Sequence, residues 1–255
     1  MRRAAFLVAI VLSLPLALAP AQQKPPEKKD QPRTLVCAPL GVVPGAETKL
    51  VIRGQRLDTA TELRFGDVQA TVKITGKGKA AVPNMQDAAK VGDTQLEAAV
   101  TLPADFADKE AKFTVVTPAG ESAPHTLLVD KTPTVAEKEP NNGFRQAQAV
   151  AVPQVIDGAI GQAQDVDVYR FDGKAGQQLV VEVLAARYGS ALDSILTLYD
   201  ADGHTVASND DLDGTTTDSR LEVTLAKAGV YYVSLIDAHD TGGPAHVYRL
   251  SIRAK

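Results

Sequence analysis

The sequence has no tryptophan, a single cysteine and only 5% aromatic residues over 255 positions. One cysteine, Cys37, excludes an internal disulfide. Stability must then come from packing, with any staple supplied by a metal ion, and Cys37 is expected as a buried, inert thiol. The lack of tryptophan argues against stacking on sugar rings. Positive charge is not in excess: the formal net charge is −4, which excludes the whole-chain basic footprint of a nucleic-acid binder. No stretch carries a convincing helical periodicity. Catalytic signatures are also lacking. There is no His-Glu-x-x-His, no Gly-x-Ser-x-Gly and no phosphate-binding glycine loop. His125, His204, His239 and His246 lie near predicted turns or strand ends, without ligand spacing to one another. Asp240-Thr241-Gly242 copies the aspartic-protease tripeptide, but that chemistry needs two such aspartates sharing a proton and the chain has one copy. A non-enzyme is expected.

What is present begins with "MRRAAFLVAIVLSLPLALAPAQQ": two arginines, an apolar run from Ala4 to Ala19, then small residues. Residues 1–21 are expected to be a secretory signal peptide cleaved after Ala21. Its removal would leave no membrane span and an exported protein, whether secreted, periplasmic or held at the cell surface. Residues 22–33, "QQKPPEKKDQPR", predict a disordered tether, and residues 131–140 a second linker. Between residues 22 and 136 there are 15 Lys/Arg against 14 Asp/Glu, and from Glu137 onward 10 against 17. The acidity is local to the second half and needs a local cause.

Both halves show short runs of period-two alternation separated by turn residues, such as "TKLVIRG" and "KFTVVTPAG" in the first and "RLEVTLAKAG" and "HVYRLSIR" in the second. Gly76 to Asp93 is expected to be a long polar loop with one helical turn. The pattern predicts an all-β protein of two β-sandwich domains, over residues 34–130 and 137–255.

The second half carries "EPNNGFRQAQ", then "GAIGQAQDVDVYRFDGKAGQQLVVEV", "LDSILTLYDADGHTVASNDD" and "DSRLEVTLAKAGVYYVSLID". This combination resembles the bacterial pre-peptidase C-terminal domain over nearly all of residues 137–255. The resemblance implies a jelly-roll-like sandwich. The family includes collagen-binding modules of clostridial collagenases, which bind calcium near their N-terminal linker; most members have no established ligand. The first half, through "GAETKLVIRGQRLDTATELRFGDVQATV", resembles an immunoglobulin-like domain of the IPT/TIG type.

Within "VAEKEPNNGF", an extended chain puts Glu137, Glu139 and Asn141 on one side, and Pro140 favours extended geometry at Glu139. Asp165 and Asp167 share a face with Tyr169 and Phe171, which is expected to point inward, and buried carboxylates need water or a cation. The calcium-binding relatives take ligands from a Glu-x-Glu-Pro-Asn linker and an Asp-rich strand start, and this sequence keeps both. Glu137, Glu139, Asn141, Asp165 and Asp167 are therefore expected to form a calcium site; an acidic hinge beside a solvated strand end accounts for the same residues. A second acidic run, "NDDLDG", matches the start of an EF-hand loop but has Arg220 where the twelfth-position Glu is needed. A looser second cation site at Asp193, Asn209, Asp211 and Asp213 stays open beside a solvated turn. Tyr188, Tyr231 and Tyr232 are candidate ligand contacts, and an extracellular protein or matrix polymer is the expected partner. The sequence thus predicts a secreted, non-catalytic binding or adhesion protein, or else an accessory or targeting subunit of a separate secreted peptidase or hydrolase.

Overall fold

In a computed structural model, residues 30–131 and 134–255 are described. The expected signal peptide and most of the expected tether lie outside them. The first half forms nine strands: β1 (Arg33–Ala38), β2 (Gly41–Val42), β3 (Thr48–Gln55), β4 (Glu62–Arg64), β5 (Thr71–Lys79), β6 (Thr94–Thr101), β7 (Glu110–Thr117), β8 (Gly120–Glu121) and β9 (His125–Val129), with a short helix α1 (Ala88–Val91). They make one sheet in the order β1-β3-β6-β5 and a second in the order β2-β9-β7-β4, with β8 on β7. Leu50, Ile52, Leu96, Phe113 and Leu127 fill the space between the sheets, together with Cys37. Burial pushes the Cys37 thiol far above its ordinary pKa, as expected of an inert core residue.

The second half forms β10 (Val135–Ala136), β11 (Gln148–Ala149), β12 (Gln154–Ala159), β13 (Asp167–Gly173), β14 (Gln178–Leu184), β15 (Ser194–Tyr199), β16 (Thr205–Asn209), β17 (Arg220–Thr224), β18 (Gly229–Asp237) and β19 (Val247–Ala254). One sheet runs β10-β12-β19-β14-β17 and the other β11-β13-β18-β15-β16. Alternation places Tyr248, Leu250 and Ile252 of β19 opposite Tyr169 and Phe171 of β13, inside one shared core. The all-β reading from alternation therefore holds.

Two expectations need correction. The predicted loop from Gly76 to Asp93 starts as strand: β5 runs on to Lys79, because a bulge between Ile74 and Gly76 lets the glycine-containing stretch keep pairing with β6. The segment 131–140 is not a free linker over its described length. Val135 and Ala136 pair in parallel with Ile156 and Asp157, so the chain is in register with the second sandwich before Glu137 is reached.

The sandwiches touch. Val36, Leu40 and Val91 of the first pack against Ala245 and Val247 of the second in a small shared core. Arg249 sits on the sheet face that alternation assigns to solvent, yet it is 3% exposed because the first sandwich covers it. Its guanidinium reaches Asp130 Oδ2 at 2.6 Å and Asp157 Oδ1 at 2.8 Å. The Tyr188 hydroxyl donates to Glu110 Oε1 across the same joint at 2.9 Å. Tyr188→Phe deletes that bond at a half-exposed position and should cost about 0.5–1.5 kcal/mol in urea denaturation. A loss above about 3 kcal/mol would mean the joint depends on this one hydroxyl.

Candidate cation site

The chain enters the site along β10. Glu137 N–H donates to Asp157 O at 2.9 Å, which fixes where the Glu137 carboxylate begins. Its Oε2 accepts from the Ala159 amide at 2.8 Å and its Oε1 from Asn141 Nδ2 at 3.2 Å. The peptide between Glu139 and Pro140 is cis, and the Glu139 carboxylate accepts from the Asn141 amide at 2.9 Å. Asn141 O in turn accepts from the Val168 amide of β13 at 3.0 Å. The linker is thus tied to both sheets around one point.

At that point the carboxylate oxygens of Glu137, Glu139 and Asp167 lie within 4.8 Å of one another. Asp167 and Asn141 are fully buried. Asp167 Oδ2 accepts from the Tyr248 hydroxyl at 2.7 Å, and Tyr248 is itself hydrogen-bonded to the Tyr169 hydroxyl. Asp167 Oδ1 and Asn141 Oδ1 have no hydrogen-bond partner. Burial first, then the hydrogen-bonded and charged Glu137, drives the Asp167 carboxyl far above the usual carboxylate range. Burial, with the Asp165 and Glu137 charges, also raises Glu139 against the Asn141 amide, which favours its ionised form. The three crowded carboxylates form an all-oxygen donor set around one point, with an orphaned acceptor on Asp167 and another on Asn141, the residue held against Glu137. A hard cation such as Ca²⁺ fits such a set; a metal that prefers nitrogen or sulfur does not.

Of the five predicted ligands, the structure brings Glu137, Glu139 and Asp167 together and places Asn141 against Glu137. Asp165 stands apart in role. Its oxygens accept from the Gly161 and Val166 amides at 2.8 and 3.1 Å, so it caps the turn leading into β13. Sequence reading missed Tyr248, Tyr169 and Gly158. Tyrosines at core-facing strand positions need hydroxyl partners, and that signal was available. Gly158 is required because a Cβ there would lie 2.5 Å from the Tyr248 ring and 2.8 Å from Glu137 Oε2.

The second predicted set is differently placed. Asn209 Oδ1 accepts from the Arg220 amide at 2.8 Å, and Asp213 Oδ1 accepts from the Thr215 amide at 2.8 Å. Asp193 lies beside Asp237, which accepts from the Asp193 amide at 3.1 Å, and Asp211 is exposed. The other carboxylate and imidazole cluster among the described residues is Asp200, Asp202 and His204, at the β15–β16 turn. The Asp200 carboxylate there accepts from the Asp202 and His204 amides at 3.0 and 2.9 Å.

The tyrosine expectations divide. Tyr231 points inward, 5% exposed, stacked on Phe171 with its hydroxyl on Lys227 O, so it is not a surface contact. Tyr188 is committed to Glu110 at the joint. Tyr232 faces outward and stacks on Phe144 with ring centres 4.5 Å apart. Asp240 has a positive φ of 54° in a turn where Asp237 Oδ1 accepts from the Thr241 amide, so the Asp-Thr-Gly tripeptide serves as turn geometry. His125 packs tilted against Phe113 and His246 Nε2 pairs with the Thr241 hydroxyl. His204 and His239 lie exposed near Asp200 and Asp193.

Residues 165–236 match the family described as "Bacterial pre-peptidase C-terminal domain". A probable subtilase-type serine protease of Deinococcus radiodurans is 36% identical over 110 residues, which is 42% of this chain and 15% of that protein. The chain therefore spans well under two thirds of that curated relative. Among solved structures, the pre-peptidase C-terminal domain of a Bacillus anthracis collagenase covers 48% of this chain and 99% of its own, at 17% identity and a TM-score of 0.34. A Bacteroides ovatus protein from a mixed-linkage glucan utilization locus, solved with a mixed-linkage heptasaccharide, covers 88% of this chain and 75% of its own, at 10% identity and a TM-score of 0.28. Among the described residues, no helix is long and apolar enough to cross a membrane. Residues 165–236 are thus a bacterial pre-peptidase C-terminal domain, with the strand that carries Asp167 at its leading edge.

Proposed function

We propose that this is an exported, non-catalytic binding or adhesion protein of two β-sandwich modules, the first immunoglobulin-like of the IPT/TIG type, the second stabilised by calcium bound to Glu137, Glu139, Asn141 and Asp167. The observation that carries this reading is the buried Asp167, which meets two other carboxylates and keeps one oxygen without a partner, as does the buried Asn141 beside Glu137. An acidic hinge would leave these groups in water; here Asp167 and Asn141 are out of it. A cation would remove the repulsion and lock the linker to both sheets at once.

The test is thermal unfolding of the whole chain in millimolar calcium and in EDTA. Extracellular modules bind calcium with Kd of about 10⁻⁴ to 10⁻³ M. A tenfold excess over Kd stabilises by roughly 1.4 kcal/mol, a midpoint shift on the order of 4 °C. The shift should vanish in Glu139→Ala. Equal midpoints in calcium and EDTA would remove the cation from the reading and leave only the binding module.

A second reading rests on the similarity to the subtilase-type protease: an accessory or targeting subunit for a separate secreted peptidase. Recovery of a peptidase with the tagged protein from culture medium would favour it. Retention of the protein alone on an extracellular polymer favours the first.

A further inference from the structure

Phe144 is 39% exposed, three residues beyond the buried Asn141. Its ring stacks on Tyr232 at 4.5 Å and 20°, and meets Tyr199 edge-on at 5.2 Å. Tyr232 and Tyr199 are direct cross-strand partners on β18 and β15, so the two tyrosines seat Phe144 on the outer face of the second sheet with the Phe144 ring as the exposed, outermost surface. The neighbouring row of that face is Ser234, Thr197 and Ser208, paired across β18, β15 and β16. These side chains are hydroxylic and uncharged.

We propose that this face binds a neutral polysaccharide and that the cation site holds it in shape. Charge selects the ligand class. Arg170 is the cross-strand neighbour of Tyr232 and Asp172 follows it on the same strand, while exposed Arg145 adjoins Phe144 and Asp200 and Asp202 lie at the β15–β16 turn, so the charged groups around the rings carry both signs and favour neither a polyanion nor a polycation. A neutral sugar chain presents apolar ring faces to the aromatics and hydroxyls that donate to and accept from the serine and threonine row. Phenylalanine and tyrosine here do what the missing tryptophan was expected to be needed for. The coupling is geometric and rests on the calcium reading above. Glu139 holds the Asn141 amide, Asn141 O holds β13, and the turn through Gly143 then delivers Phe144 onto Tyr232. Releasing the linker takes Phe144 off Tyr232 and Tyr199.

The experiment is native affinity electrophoresis of the full chain through gels containing hydroxyethylcellulose, galactomannan or dextran, with polygalacturonate and gelatin gels alongside. In calcium, at least one neutral polymer should retard the protein. Phe144→Ala should weaken the retardation at least tenfold while leaving the circular dichroism unchanged, Phe144→Tyr should restore it, and Tyr188→Phe should not alter it. Retardation by none of the neutral polymers, by polygalacturonate or gelatin only, or unchanged in Phe144→Ala overturns the site. EDTA should weaken the retardation. If calcium raises the unfolding midpoint but EDTA leaves retardation intact, the coupling fails; if the midpoint never responds to calcium, the cation reading beneath it fails.

Discussion

Arg249→Met should destabilise the protein by about 3 kcal/mol at neutral pH, the low end of what breaking a buried ion pair costs. Two carboxylates, Asp130 and Asp157, share this guanidinium, and their side chains are 23% and 15% exposed. Methionine fills much of the volume but leaves both charges without a cation. Thr134 still donates to Asp157, and residual solvent access softens the loss. The deficit should depend on pH with a definite sign. Burial already raises the Asp130 carboxyl and Arg249 pulls it back; without Arg249 the folded-state value rises further above the unfolded one. A raised carboxyl contributes stability that is complete below the unfolded value and is lost as pH climbs toward the folded value. The variant should therefore lie closer to the parent at pH 5 than at pH 7 in urea titrations, and adding Asp130→Asn and Asp157→Asn should recover most of the loss. A deficit under 1 kcal/mol, equal at both pH values, would show that the first sandwich leaves this ion triad open to water.

Asp167→Asn is expected to reverse the sign of its effect with calcium. Without a cation, burial and Glu137 hold the Asp167 carboxyl far above its ordinary range, so the folded protein keeps a proton there that the unfolded chain releases. By the same sign rule, stability in EDTA should fall as pH rises from about 5, by up to ~1.4 kcal/mol per pH unit. Asparagine copies the shape of the protonated acid. In EDTA the slope should flatten, and above pH 7 the variant should be the more stable protein. In calcium the order should invert, because the parent gains a ligand charge and the variant lacks it. Urea titrations from pH 5 to 8.5 with and without calcium read this directly. Parallel curves for parent and variant under all conditions would show that Asp167 neither holds the proton nor binds the ion.

The strands were legible where alternation is strict. Tyr248, Leu250 and Ile252 alternate with Arg249, Ser251 and Arg253, and the first set is the core. Tyr231 and Tyr232, both expected as ligand contacts, are separated by the same parity: Tyr231 is in phase with Val233 and Leu235, all buried. The convergence of the linker with Asp167 was legible through spacing and resemblance. Asp165 was not separable from Asp167, because both precede the same inward face and only the turn at Gly161 decides which one caps it. The burial of Arg249 had no local signal. Its partner Asp130 is 119 residues away, and only the docking of one sandwich on the other turns an outward position into an interior one. The β10 pairing was hidden for a similar reason, since two residues carry no readable period.

The small core between the sandwiches has a consequence for anyone who transplants the second one. Val247 and Ala245 are kept dry by Val36, Leu40 and Val91, with the partly buried Ala159 packed beside them. Cut at the boundary that sequence similarity suggests, the second sandwich would carry a naked greasy spot beside an arginine stripped of one counter-ion, and so would tend to self-associate. A soluble graft would need polar replacements at Val247 and Ala245, or would have to travel with its neighbour as a single cassette.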